Sequence, residues 1–189
     1  MGKTKAAQEF DFEEWQEGLH VALVQALTEL TEEYDEVYAV SLMASSDLWS
    51  FGIAANTKSY LLEQAGSEQS EDYCYYKYAE EEWGIMEAAS EEFEDLADAV
   101  RNYLEEHSDD FTDEDYCFTE EYQAFRDELF GTCLRTLRDF VKKEGTQYPQ
   151  ICWNFYVREF FEAEDMAEIY RLLNQNETAV EEFCSTLDV

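Results

Sequence analysis

Apolar positions change period several times along the chain, and each change marks an element. Trp15, Leu19, Ala22, Leu23, Ala26, Leu27 and Leu30 recur at helical spacing and predict a helix over residues 10–30. Asp11 suits its N-cap, Glu14 would complete a capping box, and Glu13, Glu14 and Glu17 stand where the helix dipole favours anions. Residues 37–43 and 48–55 read as strands, the second with Trp49, Phe51 and Ile53 on alternate positions. The turn-like Ala-Ser-Ser-Asp between them makes the pair a hairpin. Asn56-Thr57 then caps a short helix over 58–64 that Gly66 ends, and 67–72 is a polar loop. Four tyrosines within residues 73–78 predict a third strand.

The second half is mostly helical. Met86, Ala89, Phe93, Leu96, Val100 and Tyr103 form a narrow seam over 86–106, with Glu87, Glu91, Asp95, Asp98 and Glu105 opposite. Tyr122, Phe125, Leu129, Cys133, Leu137 and Phe140 give a long helix over 120–143, stopped near Gly145. Residues 151–157 read as the last strand, and 160–173 and 180–187 as closing helices. The expected fold is α+β: a small, mostly antiparallel sheet of about four strands covered by several helices. Residues 1–189 fit one domain, with 1–9 expected to be a flexible N-terminus, and a chain of this size buries roughly 70% of its unfolded surface.

Charge changes this picture most. Forty-six Asp and Glu oppose twelve Lys and Arg, for a formal net charge of -34. Self-repulsion on that scale weakens the compact state. Disorder is excluded as its explanation, because the chain is 46% apolar and 16% aromatic with one proline. Eighteen acids lie between Glu80 and Glu121 against the single base Arg101, whereas residues 122–143 hold five of the twelve bases. The helix over 120–143 is therefore expected to neutralise part of the acidic helix before it. Halophily or plain solubility would account for the charge without a partner.

Candidate chemistry is sparse. Cys74, Cys117, Cys133, Cys152 and Cys184 contain no CxxC pair and read as reduced, mostly buried thiols of a cytoplasmic protein. No metal site is expected: an EF-hand frame starting at Asp109 puts Phe111 third and Glu114 sixth, and His20 and His107 form no HxH or HExxH pattern. GxSxG, P-loop and GxGxxG motifs are absent, so neither a cofactor nor a catalytic residue is assigned. Trp83-Gly84, after three glutamates, could line a cleft. No signal peptide, myristoylation signal (Ala6 stands where Ser or Thr is wanted) or membrane span is expected. The charge also argues against direct binding to nucleic acid or anionic lipid.

Several short segments, in order, resemble one known family. They are Val37-Tyr38-Ala39-Val40-Ser41-Leu42, Phe51-Gly52-Ile53-Ala54-Ala55-Asn56-Thr57, Tyr78-Ala79-Glu80-Glu81-Glu82-Trp83-Gly84, Arg171-Leu172-Leu173-Asn174 and Val180-Glu181-Glu182-Phe183. Together they resemble the bacterial family known as domain of unknown function 4303, over almost the whole chain. The resemblance implies no established activity. Members look like the small acidic proteins encoded beside bacterial toxins, which implies an immunity role. Prolines expected before the Glu-Trp step and after the late Asn are missing, with Glu81 and Gln175 nearby, which leaves those turns open.

The functional expectation is a non-catalytic acidic protein that neutralises or sequesters a basic protein partner, a toxin among the candidates. Its surface would comprise Glu87, Glu91, Asp95, Asp98, Asp109, Asp110, Asp113, Asp115 and Tyr116, with Tyr73, Tyr75 and Tyr76 as further anchors or simply a packed sheet face. The alternatives are an enzyme of unrecognised class using carboxylates in a cleft beside Trp83, and a regulatory adaptor.

Overall fold

A computed structural model describes residues 10–86, 88–115 and 117–187; the expected flexible segment 1–9 lies outside them. The chain runs α1 (Phe12–Glu33), β1 (Val37–Ala44), β2 (Phe51–Thr57), α2 (Lys58–Ala65), α3 (Tyr73–Tyr78) and a 3₁₀ turn (Glu80–Glu82). It continues with α4 (Ser90–Glu106), α5 (Ser108–Phe111), α6 (Glu120–Lys143), a second 3₁₀ turn (Gly145–Gln147), β3 (Cys152–Val157), α7 (Ala163–Leu173) and α8 (Glu177–Thr186). The fold is α+β.

The sheet has three strands, ordered β2-β1-β3. β1 pairs antiparallel with β2 through the expected hairpin and parallel with β3. This corrects the expected four-stranded, mostly antiparallel sheet. The missing strand is residues 73–78, which form α3. Tyr73 and Tyr76, one helical turn apart, pack onto the small core at Tyr38 and Trp83, whereas Lys77 reaches Glu182 of α8. That i, i+3 spacing is helical, and Tyr75-Tyr76 breaks the alternation a strand requires.

Both faces of the sheet are covered, so β1 is buried along nearly its whole length. One face carries Val40, Leu42, Ile53, Trp153 and Phe155 into the main core, which also takes in the buried sides of α1, α4 and α6. α1 fits the sequence reading closely, its seven periodic apolar residues all buried and its Asp11 cap accepting from the Glu14 N–H at 3.0 Å. α6 begins at Thr119, whose hydroxyl caps the Tyr122 N–H, and keeps the expected limits. α4 starts later than expected. Met86 is exposed, and Ala89 holds a left-handed conformation (φ 53°) just before the helix. Its N–H donates to the Glu29 carboxylate of α1 at 2.8 Å, which ties the two helices together. Trp49, expected in a strand, lies in the hairpin turn and is exposed.

The other face is more polar. A bulge between Val37 and Ala39 shifts the β1–β2 register. Val37 can therefore join the main core while Tyr38 joins Ala39 in the second one. Both outer sheet edges are partly closed. Ile85 bridges Ala55 of β2, and the Asn174 side chain accepts from the Trp153 N–H at 2.8 Å and donates to its carbonyl at 2.7 Å.

Candidate functional site

The acidic surface expected from sequence is present but is built differently from the expectation. Glu91, Asp95 and Asp98 are exposed on the outer side of α4, and Asp109, Asp110, Asp113 and Asp115 are exposed just after it. Glu87 and Tyr116 lie outside the described residues. Among the described residues no basic side chain of α6 pairs with a carboxylate of α4; Arg126 pairs with Asp127, Arg135 with Glu128, Arg138 with Asp139 and Lys143 with Glu144. α1 packs against both helices, and α4 and α6 meet instead through Tyr103 and Phe125, whose ring centroids are 5.3 Å apart. Arg101 is the base that serves α4, holding Glu94 at 2.6 Å and Asp98 at 2.5 Å.

Glu91, Asp95, Asp109, Asp113 and Asp115 have no cationic partner among the described residues. Asp113 is partly structural, since its carboxylate accepts from the N–H groups of Asp115 and Cys117. Two exposed aromatics border this surface. Trp49 lends its carbonyl to Arg101 at 2.7 Å, and Phe118 stacks on Tyr122 with centroids 4.0 Å apart. Of the tyrosines considered as anchors, Tyr75 is exposed, whereas Tyr73 and Tyr76 are packed on the second core.

A groove of about 570 Å³ lies between α6 and α7. Its floor is Phe130, Phe155, Phe160, Phe161 and Ile169, and Asp127, Asp165 and Glu168 stand around it. Sequence reasoning placed these residues on the 120–143 helix, the 151–157 strand and the 160–173 helix and did not bring them together.

The third feature is a buried polar constellation under the sheet. Glu80 is only 4% exposed, although Glu81 and Glu82 beside it are exposed. Asn154 of β3 donates its side-chain N–H to the Glu80 carboxyl, and burial pushes that carboxyl up to about 7 despite this bond. Tyr38, aimed here by the bulge, accepts from the Asn56 amide at 3.1 Å and donates to the Lys77 carbonyl at 3.2 Å. Burial raises its phenol well above the usual value.

Tyr78, Trp83, Asn154 and Tyr170 line one cavity of about 10 Å³ with Glu80. The hydroxyls of Tyr78 and Tyr170, the Trp83 indole N–H and the Asn154 carbonyl oxygen are buried there without a hydrogen-bond partner among the described residues. Glu182 and Cys152 lie close enough to the two hydroxyls to raise their pKa values further, but no well-aligned hydrogen bond joins them. The cavity is about the size of one water molecule, and these four atoms supply the two to four polar partners a water needs.

The five cysteines are free, with Cys133 and Cys184 buried and Cys117 exposed, the last contrary to expectation. Among the described residues no three His, Cys, Asp or Glu side chains are placed to hold a metal ion, and no helix is long and apolar enough to cross a membrane.

The segments that carried the sequence resemblance converge on this side of the sheet. Asn56 holds Tyr38, Trp83 lines the cavity, and Asn174 pins β3 to the end of α7, the helix that carries Tyr170. The profile of the family described as a domain of unknown function (DUF4303) matches residues 9–175, and the chain belongs to that family. No curated protein and no solved structure gives a match.

Proposed function

We propose that this chain is a non-catalytic acidic binding protein that neutralises or sequesters a basic protein partner, in the manner of a bacterial toxin-immunity protein acting in the cytoplasm. The observation that carries this reading is the set of carboxylates on α4 and the segment after it that lack an internal counter-charge. Their field would steer a cationic partner, speeding association by tenfold or more at low salt. Trp49 and Phe118, exposed at the border of that field, offer aromatic surface of the kind that dominates binding energy.

The test is retention of a basic protein from the source organism's lysate by the immobilised chain, washed at about 50 mM and about 500 mM salt. A variant carrying Glu91→Gln, Asp95→Asn, Asp109→Asn and Asp113→Asn is run beside it; the last change preserves the acceptor for the local turn. Retention at low salt by the wild type alone supports the proposal. Equal retention by both chains, with the same salt response, ends it.

An enzyme using the Glu80 carboxyl is the second reading, favoured by its raised pKa in a buried polar site beside Trp83. Against it stands the cavity volume of about 10 Å³, which leaves no room for a substrate unless the 3₁₀ turn moves. A regulatory adaptor would use the same acidic surface with a different partner.

A further inference from the structure

The groove between α6 and α7 is open in its middle because of one residue. On α6, Asp127, Gly131 and Leu134 follow one another at i, i+4 and i+7; on α7, Asp165, Glu168 and Leu172 face them at i, i+3 and i+7. Glycine is among the poorest helix formers, yet Gly131 sits in the interior of a 24-residue helix. Core packing does not require it there. A Cβ at Gly131 would approach only the guanidinium of Arg135, at 3.1 Å, and that flexible side chain is exposed. What the missing side chain does is keep one wall low over a phenylalanine floor.

Charge and hydrogen bonding define what fits. Asp127 on the α6 wall is paired with Arg126, whose guanidinium lies over the Phe160 ring, whereas Asp165 and Glu168 on the α7 wall have no cationic partner among the described residues. The walls are helices, whose backbone groups are already paired, so an extended peptide would find few main-chain partners. A helix satisfies its own backbone and can offer apolar residues at i, i+3 and i+4 with cations along the side that faces α7. We propose that the α6–α7 groove seats a cationic amphipathic helix of the partner protein, its apolar face on the phenylalanine floor and its Lys or Arg side chains against Asp165 and Glu168. The inference rests on the basic-partner reading above and names the contact through which that partner would be held.

The probe is a Leu/Lys peptide of about 14 residues, or about four helical turns, with its leucines at helical spacing. An isomer of the same composition with leucines at alternate positions is the control. Affinities for the whole chain are measured by calorimetry at about 150 mM salt. The amphipathic peptide is expected to bind at least about tenfold more tightly than its isomer. Gly131→Leu, which fills the groove while favouring the helix, is expected to abolish that preference, and Leu172→Glu, at an exposed position, to reduce it.

Equal binding of the two peptides, or a preference that survives Gly131→Leu in a folded protein, overturns the inference. If the preference instead disappears in the α4 carboxylate variant and is untouched by Gly131→Leu, the groove is refuted while the acidic-surface reading stands. Self-association of the wild type that Gly131→Leu removes, seen by sedimentation, would assign the groove to a second copy and likewise refute the proposal.

Discussion

Asn154 and Glu80 form a wholly buried pair that joins β3 to the 3₁₀ turn on the far side of the central strand. Its carboxyl is the one acid among the described residues held near neutrality by burial, and this gives it an opposite pH signature from the surface acids. Since its folded pKa of about 7 exceeds the usual 4.5, its contribution is fully present below about pH 4.5. It is lost as pH rises through about 7. The full span is worth about 3 kcal/mol. Glu80→Gln keeps the shape without the ionisation. Urea melts are expected to show the two proteins similar near pH 5 and the variant more stable near pH 8.

Glu29 carries the reverse sign. Its carboxylate accepts from the Ala89 N–H, and that backbone bond holds it below the ordinary range, with Gln25 assisting. The stability it adds is present above about pH 4.5 and disappears as pH falls through its lowered value. Glu29→Ala leaves the entry of α4 without this acceptor, and a loss of about 1 kcal/mol near pH 7 is expected from denaturant melts. The difference from wild type should shrink toward pH 3.

Tyr38→Phe tests the bulge. The hydroxyl both accepts from Asn56 and donates to the Lys77 carbonyl, so its removal strips a buried amide and a half-buried carbonyl of their partner. A loss of about 1–3 kcal/mol is expected in the same assay. Tyr34→Phe, at an exposed tyrosine, is the control and should change little.

Glu36 and the overall charge offer two routes to stabilisation. Glu36 is exposed yet has a left-handed φ of 58°, which costs a non-glycine residue about 1–2 kcal/mol. Glycine recovers most of that and returns part as chain entropy, so Glu36→Gly is expected to gain about 0.5–1 kcal/mol. Separately, raising salt from about 10 mM to about 500 mM screens the surplus negative charge and should raise the melting temperature of the wild type. An unchanged melting temperature would mean that self-repulsion does not limit stability.

The parts of the fold legible in the sequence are those decided locally. Trp15 to Leu30 and Tyr122 to Phe140 keep helical spacing over several turns and bury on one side, so α1 and α6 could be placed closely. Tyr73 to Tyr78 misled because aromatic richness resembles a strand, whereas packing against α2 and α8 selects a helix. The parallel pairing of β1 with β3 depends on residues far apart in the chain, and no local pattern reports it. Glu80 was hidden among three consecutive glutamates that differ only in burial. The usable signals were Asn56 and Asn154, polar residues inside otherwise apolar strands, because buried amides need partners. The acidic surface was visible as composition; its lack of compensation by α6 required the packing.

The parallel ladder also sets a timetable. β1 cannot gain its second neighbour until Cys152 to Val157 exist, so Ala39 must wait for a partner at Cys152. Non-local pairing of this kind folds slowly and leaves an apolar strand edge open to other chains meanwhile. Until Cys152 to Val157 are made, the sheet can hold at most the β1–β2 hairpin. The residues made in that interval include the eighteen carboxylates between Glu80 and Glu121. Whatever they bind once folding is complete, at contact range they oppose the association of one half-built chain with another.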